Sequence, residues 1–262
     1  MVREKIRNGI RTISLAALLA YTNVAFSAQS PQHSSQQGSY SRIPDRVYRQ
    51  VTGRSNFNTA ITRLRKYNLE ETFEKYYEKF GSAKYGLELE DMIAFGIVES
   101  SLNPSARTSR GDCKGIGQVT SAAVKTVNRR YGTRFVCTSN PERFEDQVGS
   151  AVGYFTLKAE NLHRKYGLEG VDLVNVTYFA YNAGSAPVDY ILGRLKKKGQ
   201  PITWKNIESH ITVTNLRASS SFYRKWSSSK LKQKVSIIKN YVKSANAYSS
   251  YLERAREIHN KA

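Results

Sequence analysis

The sequence has few of the residues from which metal and redox centres are built. It contains 2 cysteines and 4 histidines among 262 residues, and the cysteines do not form a Cys-x-x-Cys motif. The histidines are scattered along the chain: His33, His163, His210 and His259. Because protein metal sites take several such side chains at characteristic intervals, we predict no metal site and no cofactor.

Acidic residues are scarce as well. The chain has 21 Asp and Glu against 41 Lys and Arg, which gives a formal net charge of +20. Such a charge favours an anionic partner, which is a wall polymer, a membrane surface or a nucleic acid. No nucleic-acid-binding motif accompanies the charge, so nucleic acid is not expected. Basic runs at 196–198 and within 225–243 also fit helix faces exposed to solvent.

The N-terminal region has the three parts of a secretory signal peptide. A basic segment ends at Arg11, the apolar run Ile13–Tyr21 follows, and small residues stand near Ser27. The run is too short to span a bilayer, and no cysteine follows it for a lipid anchor; an uncleaved membrane anchor is the alternative. We expect a signal peptide at 1–27 and a periplasmic or secreted protein.

Beyond the signal peptide, composition divides the chain into a linker and one domain. Residues 28–43 are rich in Ser and Gln and poor in apolar residues, so a linker is predicted there. Residues 44–262 are numerous enough for one domain with a sizeable core. Export favours a disulfide between Cys113 and Cys137, with two free thiols as the alternative.

Apolar periodicity predicts a mainly α domain with little or no β-sheet. The predicted helices lie at 69–80, 89–98, 121–131, 141–167, 172–181, 187–195 and 229–258. The last helix should bury one stripe of side chains, formed by Leu231, Val235, Ile238, Val242, Ala245 and Leu252. Short strands are considered only at 133–137 and 211–215.

Glu99 is the candidate for acid chemistry. The segment 89–98 is too apolar for a surface helix, and Pro104 prevents the helix from continuing, so Glu99 lies in the last turn of a buried helix. Burial and the negative end of the helix dipole raise the pKa of a carboxyl group there. A glycosidase general acid needs that property, although a structural buried glutamate fits the same pattern.

Two later motifs change the interpretation of Glu99. The sequence reads Glu-Ser-Ser-Leu-Asn-Pro at 99–104, Gly-Asp-Cys-Lys-Gly-Ile-Gly-Gln at 111–118 and Tyr-Phe-Ala-Tyr-Asn-Ala-Gly at 178–184. In order and spacing these motifs resemble the soluble lytic transglycosylases, which show Glu-Ser-x-Phe-x-Pro, Gly-Leu-Met-Gln and Ala-Tyr-Asn-Ala-Gly. The resemblance covers 87–188, and it implies a lysozyme-like fold.

The resemblance also implies an activity. Family members break the β-1,4 bond between N-acetylmuramic acid and N-acetylglucosamine in peptidoglycan glycan strands. One glutamate, here Glu99, acts first as acid and then as base, while the C6 hydroxyl of the sugar attacks C1 and forms a 1,6-anhydro end. The presence of one candidate acid among the motifs fits this reaction, because a hydrolase needs a second carboxylate.

Position in the motifs implies substrate binding by four further side chains, which are Thr108, Gln118, Tyr181 and Asn182. Tyr181 would orient Glu99 and tune its pKa, and Ser109 could replace Thr108 as the hydroxyl near the acid. Gly117 stands where the family has Met, which would widen the pocket. Structural roles fit three of these residues too: a loop brace for Gln118, a core ring for Tyr181 and a helix end for Asn182.

Two other functions are kept as alternatives. The first is a muramidase, in which Asp112 positions water while Glu99 acts as the acid; a turn-forming role also fits Asp112. The second is a non-catalytic protein that binds the wall or an envelope secretion apparatus. The basic C-terminal part, 217–262, is a candidate partner site, and its Tyr241-Val242 pair resembles a pair in the last helix of the family.

Overall fold

Helices dominate the computed structural model, which describes residues 55–108 and 112–260. The α-helices are α1 (Ser55–Lys66), α2 (Leu69–Lys79), α3 (Leu89–Ser100), α4 (Ser121–Tyr131), α5 (Phe144–Tyr166), α6 (Gly170–Ala183), α7 (Ser185–Lys197), α8 (Trp204–His210), α9 (Val213–Ser219), α10 (Ser221–Arg224) and α11 (Ser228–Asn260). Short 3-10 helices lie at Ser82–Tyr85 and Pro141–Arg143. The mainly α prediction is confirmed. The predicted signal peptide and linker lie outside the described residues.

In the part of the chain that the structure describes, the β-structure is one pairing of two-residue strands and an isolated bridge between Arg107 and Lys114. Strand β1 (Cys113–Lys114) runs antiparallel to β2 (Val119–Thr120), with Lys114 opposite Val119. The strand considered at 133–137 is wrong, because the Asn128 side chain accepts from the Phe135 N–H and donates to its carbonyl, both at 2.9 Å. This amide takes the place of a neighbouring strand.

The strand considered at 211–215 is also wrong, because helix α9 begins at Val213. The Thr212 hydroxyl accepts a hydrogen bond from the backbone N–H of Asn215 at 3.2 Å and caps this helix. A threonine with this hydrogen bond is a standard helix N-cap, and the β-branched residues that suggested a strand serve the helix instead.

Helix α3 is buried, as predicted, and it ends earlier than its proline required. Met92, Ile93, Ala94 and Phe95 are fully buried. The chain leaves helical geometry at Ser101 and Leu102, both left-handed with φ of 54° and 56°. The Leu102 N–H reaches back to the Gly96 carbonyl at 3.3 Å. This turn stops the helix just after Glu99 and Ser100, before Pro104 is reached.

Helix α11 is part of the main core and packs against α3 and α6. Most of the predicted stripe is buried, namely Leu231, Ile238, Val242, Ala245 and Leu252, while Val235 is partly buried. The core is continuous from Phe57 in α1 to Ala255 in α11. Among the described residues, no helix combines the length and the apolar character needed to cross a membrane.

Candidate active site

The carboxyl group of Glu99 lies where α3 meets α11. Its Oε1 accepts a hydrogen bond from the Tyr241 hydroxyl at 2.7 Å. Burial raises the pKa of Glu99 from 4.5 to about 7, while the hydrogen bond from Tyr241 and the positive charge of Lys234 act in the opposite direction. The side chain is still partly exposed. At neutral pH this carboxyl group can therefore both give and take a proton.

Lys234 is the second member of the site from α11. It precedes Tyr241 by two helical turns, which brings both side chains to one face. Its Nζ donates to Asn182 Oδ1 at 2.9 Å and to the Asn182 carbonyl at 3.0 Å. Burial lowers the pKa of Lys234, and the charge of Glu99 raises it. Lys234 thus fixes Asn182 and places a positive charge near Glu99.

The glycine-rich loop is held against the end of α3. The Ser100 hydroxyl donates to the Ile116 carbonyl at 2.7 Å. On the other side, Gln147 Oε1 accepts from the Ile116 N–H at 3.1 Å, and the Tyr181 hydroxyl donates to the Gly117 carbonyl at 2.7 Å. The three sequence motifs therefore meet in one place, with the loop between α3, α5 and α6.

Tyr181 and Gln118 make structural contacts in this loop. Tyr181 packs its ring on Phe95, with centroids 5.2 Å apart. Gln118 adopts a left-handed backbone with φ of 50° and donates from Nε2 to the Gly115 carbonyl at 2.8 Å. The Tyr241 hydroxyl donates to Glu99, and the sequence indicated Tyr241 only through a short pair of residues.

Gly117 allows close packing and does not widen a pocket. A Cβ atom at this position would lie 2.3 Å from the Cβ of Ala151 and 3.2 Å from the Tyr181 hydroxyl. Its missing side chain therefore points toward α5 and α6, where methionine has no room. The expectation of a wider pocket at this residue is wrong.

Two further predicted loop residues, Thr108 and Asp112, lie on the surface. Thr108 is exposed, and Ser109 lies outside the described residues. Asp112 is also exposed, at the start of the second described range. Asn182 is partly buried and bound by Lys234, so among these residues it is the one that the structure joins most directly to Glu99.

The predicted disulfide is not formed in this structure. Cys137 is a free thiol, partly buried, and its Sγ donates to the Val119 carbonyl at 3.5 Å. The sulfur is thereby directed at the backbone of β2. The backbone of Cys113 pairs with that of Thr120 across the two strands.

Asp91 shows what a purely structural carboxylate looks like in this fold. It is buried at the start of α3 and accepts hydrogen bonds from the Tyr178 hydroxyl at 3.1 Å, the Ser249 hydroxyl at 2.9 Å and the Glu88 N–H at 3.0 Å. Burial raises its pKa to about 6. Glu99 differs because it is partly exposed and faces a lysine.

The described residues hold no cluster of three His, Cys, Asp or Glu side chains that could bind a metal ion. No protein-family model matches the chain, and a search of curated proteins finds no match.

Proposed function

We propose that the protein is an exported peptidoglycan lytic transglycosylase with a lysozyme-like fold. One observation carries the proposal: a partly exposed glutamate, with its pKa raised to about 7, ends a buried helix and is held by a tyrosine hydroxyl. A carboxyl group with this pKa can protonate a leaving group and then accept a proton at the same pH. The three motifs around it support the same assignment.

The proposed reaction uses Glu99 twice. The protonated carboxyl group gives its proton to the glycosidic oxygen, the C1–O bond of N-acetylmuramic acid breaks, and the N-acetylglucosamine end leaves as an alcohol. The C6 hydroxyl then forms a new bond to C1, and the Glu99 carboxylate takes the hydroxyl proton. Atoms and charges balance without water, and Glu99 is protonated again.

The surroundings of Glu99 support a lyase over a hydrolase. The groups that shift its pKa, besides burial, are the Tyr241 hydroxyl and the Lys234 ammonium. Neither can act as the second carboxylate that glycoside hydrolases use as nucleophile or base. Asp112, the candidate for that role, is exposed on the loop. After the first proton transfer, the Lys234 charge stabilises the carboxylate that must act as base.

Asn182 is proposed to bind the substrate. Lys234 donates to both its side-chain and its backbone oxygen, which fixes the orientation of the amide and leaves the Nδ2 group as a donor. An N-acetyl carbonyl of the glycan is a suitable acceptor. Thr108 and Gln118 are proposed to bind the glycan from the loop. The strong positive charge of the chain suits binding to anionic wall polymers.

The test compares wild-type protein with Glu99→Gln on purified peptidoglycan. Glutamine keeps the shape but cannot transfer a proton, so release of soluble fragments should fall by about 10²- to 10⁴-fold. Glu142→Gln, which removes an exposed carboxylate, is the matched control and should keep full activity. Sedimentation with peptidoglycan should be the same for all three proteins.

Two outcomes would contradict the proposal. Unchanged fragment release by Glu99→Gln would remove Glu99 as the acid. Binding without any fragment release by the wild-type protein would favour the non-catalytic, wall-binding alternative.

A further inference from the structure

A cavity of about 590 Å³ lies apart from Glu99, between α5, α6 and α7. Its walls include Tyr154, Lys158, Arg164, Lys165, Ser185 and Asp189. The volume falls within the range of roughly 300–1,000 Å³ that is common for ligand pockets. Three of these six side chains are cationic and one is anionic, so the cavity has a net positive lining.

Lys158 is the unusual member of this wall. It is 8% exposed, and its Nζ donates to the Ser185 hydroxyl at 3.0 Å. The same Nζ lies 4.6 Å from the centre of the Tyr154 ring. Throughout 55–108 and 112–260, Lys158 forms no ion pair with a carboxylate. A buried ammonium whose hydrogen-bond partner is a neutral hydroxyl lacks the counter-charge that such a group normally has.

Two neighbouring features add to the attraction for an anion. Ser185 begins the 13-residue helix α7, whose first turn has no acidic residue and whose start has no side-chain cap. The positive end of a helix dipole favours a bound anion, and Ser185 and Ala186 precede Pro187 in this first turn. The negative charge of Asp189 is already used, because its Oδ1 accepts from Lys165 at 2.8 Å and from the Tyr166 hydroxyl at 2.7 Å.

The cavity and the Glu99 site share the last turns of α6. Ala180 lines the cavity, and Asn182 binds Lys234 beside Glu99. Tyr154, which covers Lys158, contacts the Tyr181 ring with centroids 5.7 Å apart. The two places therefore lie at the same end of α6, near its junction with α7.

We propose that this cavity binds a carboxylate of the peptide that peptidoglycan carries on its muramic acid. The inference rests on the proposed function, and it makes strands that carry peptides the preferred substrate class. Lys158 and the Ser185 hydroxyl bind the carboxylate at the start of α7, and the rim cation Arg164 draws it in. Each contact is charge-assisted or lies at a helix N-terminus, which suits a planar, singly charged group.

The test measures binding in the full chain carrying Glu99→Gln, so that no turnover occurs. The probe is a soluble muramyl peptide with free carboxylates, titrated by calorimetry, beside the same compound with its carboxylates amidated. Amidation and Lys158→Met should each weaken binding at least tenfold, as expected for loss of a charge-assisted hydrogen bond. Lys158→Arg should recover part of it, and Lys197→Met, an exposed lysine of α7, should bind like the parent.

Equal binding of the free and amidated compounds, or unchanged binding by Lys158→Met with an unaltered melting temperature, would overturn the inference. Inorganic phosphate that displaces the peptide at similar concentration would assign the cavity to phosphate and overturn it too. Because binding is read without cleavage, loss of the peptide site with intact glycan cleavage would leave the proposed function standing. If the wild-type protein bound the peptide but cleaved no glycan, the proposed function would be contradicted and the peptide site would remain.

Discussion

The raised pKa of Glu99 has a consequence for stability that can be measured without any substrate. In the folded protein this pKa is about 7, against 4.5 for the unperturbed group. Below the lower value, both folded and unfolded states carry the proton. Between the two values the unfolded chain releases the proton and the folded protein keeps it, so stability falls as pH rises. Above the upper value the loss is complete.

The size of this loss follows from the shift. Each pKa unit corresponds to about 1.4 kcal/mol, so Glu99 lowers the free energy of unfolding by about 3 kcal/mol between about pH 4 and about pH 8.5. The Glu99→Gln variant has no ionisable group at this position, so its free energy of unfolding does not show this decrease. The stability of the variant relative to the wild type should therefore increase by about 3 kcal/mol over that range.

Denaturant unfolding at a series of pH values measures this difference. Asp91 and Glu253, whose pKa values burial also raises, are present in both proteins and cancel in the comparison. Glu142→Gln should follow the wild type at every pH. A Glu99→Gln curve that stays parallel to the wild type within about 0.5 kcal/mol would refute the burial of this carboxyl group, and with it the reason for choosing it as the acid.

Three more substitutions give further expected outcomes. Tyr241→Phe removes a hydrogen bond worth roughly 1.5–3 kcal/mol to the carboxylate, so the pKa of Glu99, read by carbon NMR, should rise by about one to two units, while Tyr77→Phe should leave it unchanged. Lys234→Met should also raise that pKa, because a positive charge is lost, and a lowered pKa would contradict the arrangement. Gly117→Met should destabilise the fold by about 1–3 kcal/mol in thermal unfolding, since a Cβ atom at this position has no room; a variant as stable as the wild type would place residue 117 elsewhere.

Local sequence patterns were enough to predict the frame of the fold. The apolar density of 89–98 predicted a buried α3, and the stripe from Leu231 to Leu252 predicted the packing face of α11. The α11 prediction succeeds because a helical stripe of apolar residues marks the buried face, and the α3 prediction succeeds because a helix that is apolar on all sides is buried. The end of α3 was harder to predict from the sequence, because it depends on Leu102 folding back over Gly96 in the three-dimensional structure.

The sequence identified the site residue on α3, which is Glu99, but not the role of Lys234 on α11. Glu99 stood out by its position, whereas Lys234 lay in a basic run that resembles a solvated face. Its spacing of seven residues from Tyr241, beside the buried stripe, was the available signal. The bond between Tyr241 and Glu99 joins residues 142 positions apart, and such a pairing is a product of tertiary packing.

Digestion of peptidoglycan in water enriched in oxygen-18, followed by mass spectrometry of the glycan ends, distinguishes attack on C1 by the C6 hydroxyl from attack by water. We expect 1,6-anhydro ends without oxygen-18 from the wild-type protein and no new ends from Glu99→Gln. Reducing ends that carry oxygen-18 would contradict it, because they would show that water, and not the C6 hydroxyl of the sugar, attacks C1.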